Sequence, residues 1–423
     1  MSTVRRVAVA AAAVALIPAF AGPVEASPPP ETASVISDWN AIATTTLLGD
    51  TGEAPQETFI YVAFTHAAMY DAVVGVHPRY ESYRRHAPAP RRASATAAAA
   101  AAGHKILETY SPYAQSALDS ALATSLAGVP DGAAKTAGIA YGEQVAQDLI
   151  DLRANDGRYA PVQYTRAPAP GVWRPTPPLN APMAVPWLGG VTPLLARNVA
   201  QFAPPAPPAL TSRRYTRDLT EVKALGSATS TARTPAQTDT ALFFSGNVAV
   251  QVNTALRDQA ATRHLDIVDA ARMFAAVNMT VLDALIVTWQ TKLDRAYWRP
   301  ITAIQLADTD GNPATAADPS WTPLLTTPNY PDYVSGYNAV IASSSRTLEN
   351  VVGSRLNLTL TSTAVPGAVR HYDDGRVLRA EVVDARILLG IHFRTADTEA
   401  RTLGVDLADW VNCHYFRPTG RRG

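Results

Sequence analysis

Apolar residues recur at helical spacing along most of this chain, while the strict alternation of a half-buried strand is sparse. Residues 59–74 (FIYVAFTHAAMYDAVV) are strongly apolar and hold neither glycine nor proline. Residues 94–108 are alanine-rich, and residues 114–152 carry apolar positions at helical spacing, so both stretches are good helix formers. The pattern predicts further helices over 212–225, from Pro235 onward, and over 266–298, 337–352, 377–389 and 398–411. Thirteen of the 33 prolines fall in residues 161–208, which excludes regular helix there. We expect that stretch to be a long Pro-rich surface loop wrapped over a helical body and anchored by Trp173 and Trp187. The fold class read from this pattern is all-α, with no internal repeat at periods of 20–50 residues.

The longest predicted helix tempts a membrane reading, because Met273–Gln290 holds a single charge, Asp283. Asn278, Asp283 and two threonines in its middle would be costly in hydrocarbon. A helix buried on all sides in a large helical domain is the expectation instead.

The N-terminus reads differently. Arg5 and Arg6 precede an apolar run from Val7 through Phe20, and Val24-Glu25-Ala26 offers small residues where a signal peptidase cuts. Residues 1–26 are therefore expected to be a signal peptide, too short to be a good span, leaving residues 27–423 as a single domain outside the cell. The dipeptide lacks a full twin-arginine motif, so either export route stays open. Cys413 is the only cysteine, which excludes a disulfide framework and a Cys-based zinc site, and no retained lipid anchor is expected because no cysteine follows the apolar run. Lys+Arg and Asp+Glu are both 36, so no basic field exists to gather nucleic acid or anionic lipid. No membrane span is expected after leader removal, and a homo-oligomer is compatible with the sequence.

Candidate chemistry gathers in residues 285–400. Only four lysines occur, and Lys292 lies seven residues before Arg299-Pro300. Seven residues turn through about 700°, so one helix ending at Arg299 would place both cations on one face, two turns apart. Farther on, prolines and glycine in 328–337 mark a loop, and Ser335-Gly336 stands where a helix beginning near Tyr337 would have its cap and free N–H groups. Arg386 lies in an apolar helix and demands an anionic partner, and Gly390 can end that helix and let His392 come in beside it. Each piece alone is ordinary. Together they supply three cations, a hydroxyl, an amide and an imidazole, which is a cage for a small oxyanion. The imidazole is then either a nucleophile toward phosphorus or an axial ligand to a metal oxyanion.

Lys292-x6-Arg299-Pro300, then Ser335-Gly336, then Arg386-x5-His392 resembles the signature of the vanadium-dependent haloperoxidases and the type 2 phosphatidic acid phosphatase superfamily. Trp39-Asn40, the stretch His66–Ala72, Trp298–Thr302 and Gly390–Arg394 are similar to the exported bacterial haloperoxidase-like branch. The resemblance implies an all-α fold built around helical bundles. It also implies vanadate as cofactor, with phosphate as a surrogate. His392 would be the vanadium ligand, Lys292, Arg299 and Arg386 would neutralise the oxyanion, and Ser335 and the Gly336 amide would donate hydrogen bonds to it. Lys292 would also polarise bound peroxide for attack by a halide, with peroxide, halide and an organic acceptor as the small-molecule substrates.

The chain departs from that signature at one position: the expected Ser-Gly-His reads Ser335-Gly336-Tyr337. A phenol with an ordinary pKa near 10 is a poor proton shuttle at neutral pH. Tyr337 would line the catalytic site and weaken or alter turnover, with His371 as a conceivable substitute acid/base. Two other readings follow: an acid phosphatase acting through a phosphohistidine at His392, or an exported protein that binds phosphate or vanadate without catalysis. Elsewhere, Asp308–Asn312 is read as a polar turn rather than a calcium loop, since its twelfth position is Pro319. His66 and Asp71 are read as buried hydrogen-bonding residues.

Overall fold

Thirteen α-helices and one short hairpin make up the regular structure among the described residues of this computed structural model, which are Met1, Glu31, 33–49 and 54–420. The expected leader lies outside them apart from Met1. The helices are α1 (Ser34–Gly49), α2 (Glu57–Val76), α3 (Ala95–Tyr110), α4 (Gln115–Ala127), α5 (Ala133–Leu152), α6 (Arg213–Leu225), α7 (Pro235–Phe243), α8 (Val248–Thr262), α9 (Ile267–Arg295), α10 (Pro300–Gln305), α11 (Gly336–Val352), α12 (Gly375–Leu388) and α13 (Arg394–His414). Strands β1 (Leu358–Thr361) and β2 (Val369–Tyr372) pair antiparallel, with Leu358 opposite Tyr372. The all-α reading holds, with that hairpin as its one addition.

Local chemistry explains where many of these helices begin. Ser94, Ser212, Asn247, Asp266, Ser335 and Asp374 each accept a hydrogen bond from a first-turn amide, and Thr234 forms a reciprocal capping box with Gln237. Residues 114–152 form two helices rather than one. Pro130 and Gly132, the latter at φ +139°, break the run between α4 and α5. The small side chains of α3 let α5 approach closely: a Cβ at Gly142 would strike the Ala98 carbonyl.

Helices α2 and α9 are apolar on nearly every face because both are internal. Of the most apolar window of each, 89% and 94% is buried within the protein. They pack on one another, with the His66 ring stacked 5.0 Å from that of Phe274. Helix α9 also packs against α11 and α13, so it links the two ends of the chain. Its one mid-helix charge has a task. The Asp283 carboxylate accepts from the amides of Leu194, Leu195 and Ala196 at 2.7, 2.8 and 2.7 Å. Burial pushes this carboxyl up to about 6, against the pull of those amides. The Pro-rich residues 161–208 contain two 3-10 turns, Pro186–Gly190 and Val199–Phe202, and no α-helix. Trp173, Trp187, Leu188 and Leu195 from this stretch are buried, so the segment is seated into the helices as well as over them.

One expectation fails at the end of α9. Lys292 and Arg299 do not share a helix face. The helix stops at Arg295, and Ala296 takes the left-handed conformation at φ +47°. Arg299 is extended, at φ −82° and ψ 157°, as a residue before proline should be, and Pro300 opens α10. The two cations are joined by a turn of chain, not by helical periodicity. The other expected helix end holds. Gly390 sits at φ +77° just past α12, and a Cβ there would run into the Gly226 carbonyl oxygen. This close backbone approach sets the direction in which the chain leaves toward His392. Gly390→Ala should therefore combine left-handed strain with overpacking, costing about 2–4 kcal/mol. A chemical-denaturation midpoint equal to that of the wild type would contradict this account.

Candidate active site

The elements above deliver their functional side chains to one buried place. Lys292 comes from the last turn of α9, and Arg299 caps α10. Ser335 caps α11, whose first residue is Gly336. Arg386 lies in the last turn of α12, and His392 follows the Gly390 turn. Lys292, Arg299 and Ser335 are 0% exposed and His392 is 1% exposed.

A single extended segment, Tyr330–Asp332, ties three of these side chains together. The Tyr330 carbonyl accepts from Arg299 Nε at 2.8 Å, and the Pro331 and Asp332 carbonyls accept from Lys292 Nζ at 2.7 and 3.1 Å. The Asp332 carboxylate lies 2.7 Å from His392 Nδ1 and 3.7 Å from Arg299 Nη1. The ring of Tyr330 faces both cations, at 4.9 Å from Lys292 and 4.8 Å from Arg299. Arg299 Nη1 also donates to the Ile391 carbonyl at 2.7 Å and lies 3.2 Å from His392 Nε2. The imidazole and the Arg299 guanidinium are thus in direct contact, with the Lys292 ammonium held on the same segment.

Electrostatics make this a costly arrangement. Burial drives the Lys292 ammonium well below its ordinary value, and Arg299 adds to the effect. Burial lowers the guanidinium pKa of both Arg299 and Arg386. It also drives His392 well below its usual value, helped by the neighbouring cations, so the imidazole is neutral at physiological pH. The Asp332 carboxyl is pushed up to about 7 by burial, against Arg299 and Lys292. Asp397, whose Oδ1 accepts from Asn338 Nδ2 at 2.7 Å, is held well above the carboxylate range by burial.

Two donors in this cluster have no partner among the described residues: Arg299 Nη2 and Arg386 Nε are both buried and unpaired. Buried cations with spare N–H groups, beside a neutral imidazole and the start of α11, fit a small oxyanion. Vanadate and phosphate both meet that description, since guanidinium N–H groups match their oxygens and a neutral imidazole can ligate vanadium or attack phosphorus.

Tyr337 is placed where its phenol is already committed. Its hydroxyl donates to Gln251 Oε1 at 3.0 Å, and Gln251 in turn donates to the Thr361 carbonyl on β1. The Arg386 guanidinium lies 4.5 Å over the Tyr337 ring and donates to the Phe244 carbonyl at 2.8 Å. Desolvation raises the phenol pKa far above its ordinary value, against the pull of Arg386. His371 is not brought to the cage: it is exposed on β2, with Nδ1 3.2 Å from the Thr359 hydroxyl. His66 bonds to Asn40, Asp71 accepts from the amides of Tyr83 and Arg84, and Asp310 closes its own turn onto the Asn312 amide. These match the structural readings given to them.

Sequence reasoning missed Tyr330, Asp332, Asp397 and Gln251. Asp332 left a faint signal, as the one acid in a proline- and tyrosine-rich loop three residues before Ser335. Gln251 left none, since its role depends on a contact across 86 residues of chain.

Residues 272–419, which include every residue of the cage, match the family model described as the VCPO second helical-bundle domain. The chain is 25% identical to the vanadium chloroperoxidase of Curvularia inaequalis over 360 residues, covering 64% of this chain and 58% of that protein. It therefore spans less than two thirds of that relative's length. Among solved structures, a bacterial vanadium-dependent iodoperoxidase superposes with a TM-score of 0.80 at 22% identity, covering 94% of this chain and 100% of the other. A bacterial vanadium-dependent chloroperoxidase in its apo form superposes with a TM-score of 0.68 at 16% identity, covering 86% and 94%. The fold is thus that of the helical-bundle haloperoxidases, and the chain is haloperoxidase-like.

The two roles of Tyr337 separate by mutation. Tyr337→Phe removes only the bond to Gln251 and should cost about 1 kcal/mol. Tyr337→Ala also removes the ring under Arg386 and should cost about 3–5 kcal/mol. Denaturant titration reads both, and equal losses would show that the stacked ring contributes nothing.

Proposed function

We propose that this chain is an exported, vanadate-binding haloperoxidase-like enzyme whose acid–base step is weakened by Tyr337. The observation that carries the reading is the pair of unpaired, buried guanidinium donors, Arg299 Nη2 and Arg386 Nε, beside the neutral imidazole of His392. His392 would hold the metal through its Nε2 lone pair. Lys292, Arg299 and Arg386 offset the charge of the oxyanion, and Ser335 and the Gly336 amide donate to it. When bound, vanadate activates hydrogen peroxide for two-electron oxidation of a halide, which then halogenates an organic acceptor. Lys292 would polarise the peroxide. The named relatives are an iodoperoxidase and chloroperoxidases, and iodide, the most easily oxidised of these halides, is the first substrate to test.

Proton movement is where this site differs from the signature it resembles. The Tyr337 phenol donates to Gln251 and is held far from neutral titration. It shapes the site by stacking on Arg386 and does not shuttle protons. Losing a general acid/base lowers rates by about 10²–10⁴. That same observation favours a second reading, in which the cage binds phosphate or vanadate without turnover. A phosphohistidine mechanism fares worse, because an alcohol leaving group needs the acid that Tyr337 does not supply.

Purified protein titrated with orthovanadate should bind one equivalent. It should then oxidise iodide or bromide in a peroxide-dependent assay with a phenol dye. Binding without halide oxidation would move the conclusion to the second reading, and vanadate-inhibited hydrolysis of p-nitrophenyl phosphate would move it to phosphatase. His392→Ala should abolish vanadate binding; retained binding would remove His392 as the ligand. Tyr337→His should raise the peroxidase rate, and no gain would locate the weakness elsewhere in the cage.

A further inference from the structure

Asp332 belongs to none of the motifs that make up the signature, yet it contacts the imidazole at the centre of the site. Its Oδ1 lies 2.7 Å from His392 Nδ1, with the carboxylate 0% exposed. An ionised carboxylate only accepts, so with Asp332 ionised the proton of this bond belongs to His392 Nδ1. That leaves Nε2 with its lone pair, directed toward Arg299 Nη1 at 3.2 Å. The backbone fixes Asp332 on both sides: its N–H donates to the Tyr297 carbonyl at 2.9 Å, and its own carbonyl accepts from Lys292 Nζ at 3.1 Å.

We propose that Asp332 is the positioning residue of this site: it fixes the ring plane and the Nδ1–H tautomer of His392, so that Nε2 is presented to the oxyanion. This rests on the oxyanion-binding reading above. The physical argument is that a neutral imidazole has two tautomers and only the one with Nε2 unprotonated can ligate or attack through Nε2. In a buried site, the acceptor at Nδ1 makes that choice. The same residue also helps to hold Lys292, because its backbone carbonyl accepts from the ammonium while its carboxylate meets the imidazole. Asp332 therefore couples the imidazole to the Lys292 ammonium.

The test begins with apo wild-type protein labelled with ¹⁵N histidine, with the His392 signals identified by their loss in His392→Ala. The ring nitrogens of His392 should report Nδ1–H with Nε2 unprotonated. The Nε2–H tautomer in wild-type protein would overturn the proposal before any Asp332 variant is made. In Asp332→Asn, whose amide can turn either face to the ring, the single-tautomer signature should be lost, and orthovanadate affinity measured by calorimetry should fall about tenfold to a hundredfold. Asp332→Glu, which keeps a carboxylate, should recover part of that loss. An unchanged tautomer together with affinity within twofold of wild type in Asp332→Asn would reject the positioning role. If wild-type protein binds no orthovanadate, the oxyanion reading fails, while the tautomer comparison still decides the role of Asp332.

Discussion

Burying three cations in one place is the constraint around which this site is built. Desolvation penalises Lys292, Arg299 and Arg386 alike, and the fold offsets part of the penalty with carbonyls, ring faces and one carboxylate in direct contact. The offset is incomplete: two guanidinium nitrogens, Arg299 Nη2 and Arg386 Nε, remain without acceptors among the described residues. A protein selected only for stability has little reason to leave such groups, since apolar replacements of similar shape are often neutral or stabilising. The incompleteness is therefore the strongest physical argument for a ligand.

The segment Tyr330–Asp332 shows how few residues can organise such a cluster. Three successive backbone carbonyls accept from Arg299 and Lys292, and one side chain accepts from His392. The segment is irregular, so its backbone acceptors are not consumed by a helix and are available to cations. The adjoining α11 supplies the opposite chemistry, since Ser335 and Gly336 stand at a helix start where amides point outward. Acceptors and donors thus meet within seven residues of sequence, and the loop-to-helix transition makes that possible.

Much of this was legible in the sequence, and what was not has a physical reason. Helical periodicity and caps located α2, α3, α6 and α9 closely, because local hydrogen bonding decides them. The motif spacing brought Lys292, Arg299, Ser335, Arg386 and His392 forward as one group, and the structure gathers them. The detailed argument for Lys292 and Arg299 was nonetheless mistaken. It assumed that helix continues until proline forbids it, whereas Ala296 ends α9 early in a left-handed conformation that alanine does not advertise. Asp332, Asp397 and Gln251 escaped notice because their partners lie 59 to 86 residues away, and no local pattern encodes such pairs. Tyr337 was recognised as a departure, but only the structure shows its hydroxyl turned to Gln251 and its ring under Arg386.

Asp283 has a meaning beyond anchoring the Pro-rich segment. It precedes Lys292 by nine residues on the same helix, about two and a half turns and roughly 13 Å along the axis, so the two side chains leave on opposite sides. A cylinder packed only by apolar contacts can roll in its groove with little resistance. The three amides gripping Asp283 act as a key in a shaft, fixing the azimuth of α9 from behind. The aim of the ammonium into the cage is in this sense set on the far side of the helix, by the amides of Leu194, Leu195 and Ala196.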